Sequence, residues 1–136
     1  MQSKTHWETI YQTKAPTQVS WYQTHPHLSL DFVRRTAVAP DAPIIDVGGG
    51  ASTLVDHLLA AGYANLTVLD ISHAALKGAR ERVGDLASKV TWLEQDVTHA
   101  ELPEREYAVW HDRAVFHFLT DKSARARYVQ TVRSAM

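Results

Sequence analysis

Three carboxylates and one run of glycines carry most of the chemistry this sequence can offer. Asp46 stands two residues before Gly48, Gly49 and Gly50 in the segment PIIDVGGGAST. A glycine-rich turn between a strand and a helix lets a ligand approach the backbone and aims helix N-terminal amides at it. Many nucleotide-like ligands use such a turn, so the neighbouring residues decide which one fits. A dinucleotide fingerprint counted from Gly48 and Gly50 needs a third glycine where Thr53 stands, and a phosphate loop needs a Lys followed by Ser or Thr, which this turn lacks. Asp46 disfavours pyrophosphate, which already brings negative charge, and suits a ligand carrying an amino group and a positive sulfonium. Asp70, 20 residues beyond Gly50, is spaced to take both hydroxyls of an adenosine ribose, with Ile71 beside it to pack on the adenine. Asp96, followed by Val97, can accept from the adenine amino group.

A second polar group lies further on. His111, Asp112 and Arg113 end an apolar run, and His117 follows between Phe116 and Phe118. His111, Asp112 and His117 are the candidates for a base that removes a proton from an acceptor. The same residues also suit ordinary loop chemistry, and a histidine between aromatics is as readily a satisfied structural residue. His25 and His27 flank a proline, but no third ligand stands at a recognisable spacing, so no metal site is read.

These groups need elements to hold them. PIIDV, LTVLD, VTWLEQD and YAVWHD are short apolar runs that do not alternate cleanly with polar residues, as expected of strands covered on both faces, and they end in Asp46, Asp70, Asp96 and Asp112. Between them STLVDHLLAAG sets Leu54, Val55, Leu58 and Leu59 on one helical stripe, with Ser52 or Thr53 as cap and Gly62 as stop. SHAALKGARERVG repeats the pattern, with Ser72 as cap, Ala75, Leu76, Ala79 and Val83 as stripe and Gly84 as stop. Strand and helix alternating in this way predict a parallel sheet with right-handed crossovers. Upstream, HWETIY and HLSLDFVRRTAV have helical spacing, and the polar stretch between them holds Trp21 and Tyr22. Downstream, Asp121 caps a helix whose stripe is Ala124, Tyr128, Val132 and Met136.

The whole is the size of one domain at 136 residues, with residues 1–40 expected as a helical cap and 41–136 as the core. A formal net charge of -1 gives no broad basic field for a nucleic-acid backbone. The absence of cysteine removes disulfides, thiolate metal sites and thiol nucleophiles, and fits a cytoplasmic location. No apolar stretch approaches a signal peptide or a membrane span.

Taken together, IIDVGGGAS, LTVLDISHAALKGARER, VTWLEQDV and YAVWHDRAVFHFL make the sequence resemble a class I S-adenosylmethionine-dependent methyltransferase. The resemblance implies a three-layer, Rossmann-like parallel sheet flanked by helices, of which this sequence holds the first four of seven strands, so a truncated form is expected. Its exposed sheet edge would then be covered by further chain or by a second copy. The resemblance further implies S-adenosyl-L-methionine as cofactor and S-adenosyl-L-homocysteine as product. Asp46, Gly48, Gly49 and Gly50 would meet the methionine part, Asp70 and Ile71 the ribose and adenine, and Asp96 and Val97 the adenine edge. Trp21, with Tyr22, resembles an aromatic element that closes over cofactor and acceptor in some relatives. The acceptor is expected to be a small molecule or a protein lysine. The fourth-strand segment lacks the Asn-Pro-Pro-aromatic run of nucleobase amine methylation. The competing readings are a nicotinamide-dependent oxidoreductase on a related sheet, and a non-catalytic cofactor-binding or oligomerising fragment.

Overall fold

The computed structural model describes residues 27–112, 115–116 and 119–136. The segment HWETIY, together with Trp21, Tyr22, His25, Arg113 and His117, lies outside the described residues. The elements begin with helix α1 (His27–Arg35), strand β1 (Ile44–Val47), a short 3-10 turn (Gly49–Ala51) and α2 (Leu54–Ala60). They continue with β2 (Leu66–Asp70), α3 (His73–Val83), a 3-10 segment (Gly84–Lys89), β3 (Val90–Glu94), β4 (Val109–Asp112) and α4 (Lys122–Ala135). The four strands form one sheet in the order β3-β2-β1-β4, and every pairing is parallel. The chain winds outward from β1 to β3 and then crosses back to place β4 on the other side of β1. The crevice at the carboxyl ends of β1 and β4 is therefore the switch point at which open parallel sheets take ligands.

Helix ends follow the expected local chemistry. Ser72 Oγ accepts from Ala75 N at 3.1 Å and Asp121 Oδ1 from Ser123 N at 3.1 Å, each satisfying an amide that the first helical turn leaves unpaired. At the start of α2 the hydroxyl that serves is Ser52, which accepts from Leu54 N at 3.0 Å, while Thr53 makes no side-chain cap bond. The end of α2 closes with paired bonds from Gly62 N to Leu59 O and from Tyr63 N to Leu58 O, a Schellman arrangement that places Gly62 at φ 97.

Two apolar clusters lie on opposite faces of the sheet, and strand alternation decides which residue joins which. Ile44, Leu66, Val68, Val90 and Val109 point to one face and pack with Leu30 and Val33 of α1, Leu54, Val55 and Leu58 of α2 and Leu76 of α3. Ile45, Val47 and Leu69 point to the other face and pack with Ala124, Tyr128 and Ala135 of α4 and with Val97, Tyr107 and Leu119. The sheet is thus the middle of three layers. At the end of α4 the buried residue is Ala135, while Met136 of the expected stripe is exposed.

β3 ends earlier than its apolar pattern suggests. It stops at Glu94, which pairs with Asp70, and Asp96 lies beyond it in a turn. The Asp96 carboxylate accepts from both Thr98 N at 2.9 Å and Thr98 Oγ1 at 2.7 Å, a local turn that competes with continued extension.

Ile45 is 0% exposed, so Ile45→Ala is expected to lower stability by about 2–5 kcal/mol, the range for emptying a packed core position. Leu28 is 65% exposed, and Leu28→Ala should change stability by less than about 0.5 kcal/mol. Urea midpoints of the two variants against the parent protein measure the difference.

Candidate active site

The glycine turn is shaped first by side chains of its own protein. Gly48 sits at φ 74, in the left-handed region, and an added Cβ there would meet Val115 Cγ2 at 2.2 Å. A Cβ on Gly49 would stand 2.2 Å from Asp46 Oδ2, and one on Gly50 would stand 2.9 Å from Asp70 Oδ2 and 2.8 Å from Ala75 Cβ. The turn is bare because two carboxylates and the start of α3 already press against it.

Asp46 and Asp70 are both buried, at 3% and 5% exposure, and both lie on the α1–α3 face of the sheet. Asp70 is held at both oxygens: Oδ2 accepts from Gly50 N at 3.0 Å and Oδ1 from Ser72 N at 2.9 Å. Burial pushes its carboxyl up to about 6, a rise that the Ser72 and Gly50 amides oppose and the neighbouring Asp46 charge reinforces. Asp46 is held at one oxygen only. Its Oδ1 lies 2.8 Å from His111 Nδ1, and its Oδ2, although buried, has no hydrogen-bond partner among the described residues.

Register explains why these groups meet. Asp46 pairs with His111 and Val47 with Asp112 across the β1–β4 ladder. Alternation then separates neighbours in sequence. His111 turns to the Asp46 face, where its Nε2 lies 2.9 Å from Ser29 Oγ on α1. Asp112 turns to the other face, where it accepts from Val115 N at 2.7 Å, Phe116 N at 3.0 Å and the hydroxyl of Tyr128. Tyr128 also accepts from Trp110 Nε1 at 2.9 Å, and burial together with the Asp112 charge pushes its phenol far up. Of the sequence's candidate bases, His111 thus stands with Asp46, Asp112 anchors the turn after β4 to α4, and His117 is outside the described residues.

The remaining expected contacts are spread differently. Ile71 is half-buried beside Asp70. Asp96 serves its own turn through Thr98 and lies 3.5 Å from His99 Nδ1. The Val97 side chain belongs to the second apolar cluster, and its carbonyl accepts from Thr131 Oγ1 at 3.1 Å. Ser29 is the residue that sequence reasoning missed. The signal available was a hydroxyl at i, i+4 from Val33, on the stripe that α1 buries.

The Asp70 shift fixes the sign of a pH effect. Its folded-state value of about 6 exceeds the ordinary aspartate value of 3.8, so the folded state favours the protonated form. The stabilisation is fully present below pH 3.8 and is lost as pH rises through about 6. Relative to Asp70→Asn, the parent protein should lose about 3 kcal/mol across that window, at 1.36 kcal/mol per unit. Urea unfolding of both proteins from pH 4 to 8 reads this directly, and a pH-independent difference would contradict a desolvated Asp70.

Comparison with known proteins agrees with the fold. A family described as methyltransferase domain matches residues 44–136. The mouse eEF1A lysine and N-terminal methyltransferase is 30% identical over 121 residues, which cover 88% of this chain and 17% of the mouse protein. This chain therefore spans about a sixth of the length of that relative. Among solved structures, a protein of Methanococcus maripaludis assigned to the S-adenosylmethionine-dependent methyltransferases superposes with a TM-score of 0.74 at 16% identity, covering 100% of this chain and 60% of that one. A glycopeptide N-methyltransferase in complex with S-adenosylmethionine superposes with a TM-score of 0.68 at 20% identity, covering 90% and 55%. At these identities the structural likenesses carry the fold, and the family match extends over most of the chain. The chain belongs to the methyltransferase-domain family, with the fold of the class I S-adenosylmethionine-dependent methyltransferases.

Proposed function

We propose that this chain is an S-adenosylmethionine-dependent methyltransferase domain whose acceptor is an amine of a protein, such as a lysine side chain, or a small nucleophile. The observation that carries the cofactor reading is the buried Oδ2 of Asp46, set against Gly49 and without a hydrogen-bond partner among the described residues. A buried acceptor without a donor is costly, and an ammonium group supplies the donor together with the opposite charge. Asp70 adds a second buried carboxylate on the same face, so the turn repels phosphate and favours a cationic ligand. This is the physical argument against the nicotinamide reading, and the family match points the same way.

In this reading Asp46 takes the methionine ammonium, and Gly48, Gly49 and Gly50 pass beneath the methionine part. Asp70 takes the ribose hydroxyls. Both its oxygens already accept one backbone amide, and each oxygen of an ionised carboxylate has a second lone pair for a hydroxyl. Ile71 packs on the adenine, with Asp96 and Val97 at its edge. Bound S-adenosylmethionine supplies an activated sulfonium methyl for in-line displacement by the acceptor's lone pair, so neither a covalent enzyme intermediate nor a metal is required. The protein's own part is to position the cofactor and exclude water. The protein-amine acceptor is favoured by the likeness to the mouse lysine and N-terminal methyltransferase.

Thermal unfolding with S-adenosylhomocysteine, S-adenosylmethionine and NAD in separate samples tests the cofactor. A ligand at 100 times its dissociation constant should stabilise by about 2.7 kcal/mol. Stabilisation by the two sulfur ligands and none by NAD is expected, and no response to either sulfur ligand would overturn the reading. Asp46→Asn should weaken S-adenosylhomocysteine binding about 10- to 100-fold, the size of one charge-assisted hydrogen bond. Transfer of a labelled methyl group to a peptide carrying lysine and a free N-terminus, set against small amines and hydroxy acids, then selects the acceptor class. Tight cofactor binding with no transfer to any of them would favour a non-catalytic binding domain.

A further inference from the structure

We infer that Ser29 is a positioning residue of the cofactor pocket, acting through His111 to keep one oxygen of Asp46 aimed at the glycine turn. The inference rests on the cofactor reading above. It starts from a chain of two short contacts that spans three elements: Ser29 Oγ of α1 to His111 Nε2 of β4 at 2.9 Å, and His111 Nδ1 to Asp46 Oδ1 of β1 at 2.8 Å.

The order of protons along this chain follows from what each group can do. A carboxylate only accepts, so His111 Nδ1 carries the hydrogen that binds Asp46 Oδ1. In the neutral ring Nε2 is then an acceptor to which the Ser29 hydroxyl donates, and in the imidazolium Nε2 donates to Ser29 Oγ. In either form the ring is held at both nitrogens, which sets its rotation. With the ring held in place, Asp46 is drawn by Oδ1, and Oδ2 stays against Gly49 without a partner among the described residues. The effect is preorganisation: the ligand does not have to draw the carboxylate away from a competing donor before binding it.

A packing role alone would not select a serine. Ser29 is 7% exposed and shares its buried stripe with Leu30 and Val33, where an apolar residue would pack without a hydroxyl to satisfy. A serine within a helix also tends to compete for backbone hydrogen bonds, and here the side chain reaches across to β4 instead. The same chain ties α1 to the pocket. Any displacement of α1 from the sheet would release the ring, and through it Asp46.

Two ligands separate positioning from packing. S-adenosylhomocysteine carries the amino acid that Asp46 meets, whereas 5′-methylthioadenosine keeps the adenosine and the sulfur but lacks the ammonium and carboxylate. Calorimetric titration of Ser29→Ala should show S-adenosylhomocysteine weakened by about 5-fold or more and 5′-methylthioadenosine changed by less than about 2-fold. Ser29→Thr, which keeps the hydroxyl, should restore the first affinity. In an Asp46→Asn background, Ser29→Ala should cost less than about 2-fold for either ligand. Equal losses for both ligands would assign Ser29 to packing, and no loss for either would dismiss it. A parent protein that binds neither ligand would overturn the cofactor reading itself. A parent that binds both while Ser29→Ala shows no ligand dependence would overturn only the positioning role. Binding of 5′-methylthioadenosine by the variant also shows that it is folded.

Discussion

Two carboxylates buried against a turn with no side chains constrain the rest of this structure. Asp46 and Asp70 occupy the space that Cβ atoms of Gly49 and Gly50 would fill. Removing charge from water is expensive, so each carboxylate must be given donors, and the fold provides them unequally. Asp70 receives two backbone amides, from Gly50 and Ser72, and so also stitches the turn to the start of α3. Asp46 receives one ring nitrogen and keeps an oxygen in reserve. The unequal provision leaves one buried carboxylate oxygen facing the glycine turn without a donor among the described residues. It also accounts for the glycines, which admit the protein's own carboxylates before they admit any ligand.

The second organising fact is the period of the strand. In the β1–β4 ladder Asp46 lies opposite His111, and the alternation of side chains sends Asp112 to the far face. Two adjacent polar residues therefore do different work. His111 joins the buried carboxylate, while Asp112 caps the turn after β4 and receives the Tyr128 hydroxyl from α4. A shift of one residue in register would exchange the two and put a carboxylate beside Asp46, a pairing of like charges that the fold would resist.

Much of this was legible in the residues. The strand and helix alternation, the Ser72 and Asp121 caps and the carboxylates beside the glycine turn follow from local patterns that act over a few residues. Asp96 was harder, because the same residue that ends an apolar run also captures Thr98, and the local turn ends β3 at Glu94. Ser29 was not read at all. Its partner lies 82 residues away, and no local pattern encodes which strand will lie beside β1 or how α1 will cross it. The contact depends on the switch in strand order, which is settled only when the sheet assembles.

That dependence has a consequence for how the site is built. A pocket formed only from strand ends would be complete once the sheet is paired. Here the carboxylate that faces the glycine turn is oriented by a ring, and the ring is held by a helix that comes before the first strand. Leu30 and Val33 hold α1 on the sheet by apolar burial, which is non-directional, and the Ser29 hydroxyl adds a directional contact to β4. By linkage, any ligand that binds the oriented carboxylate would also favour the docked helix.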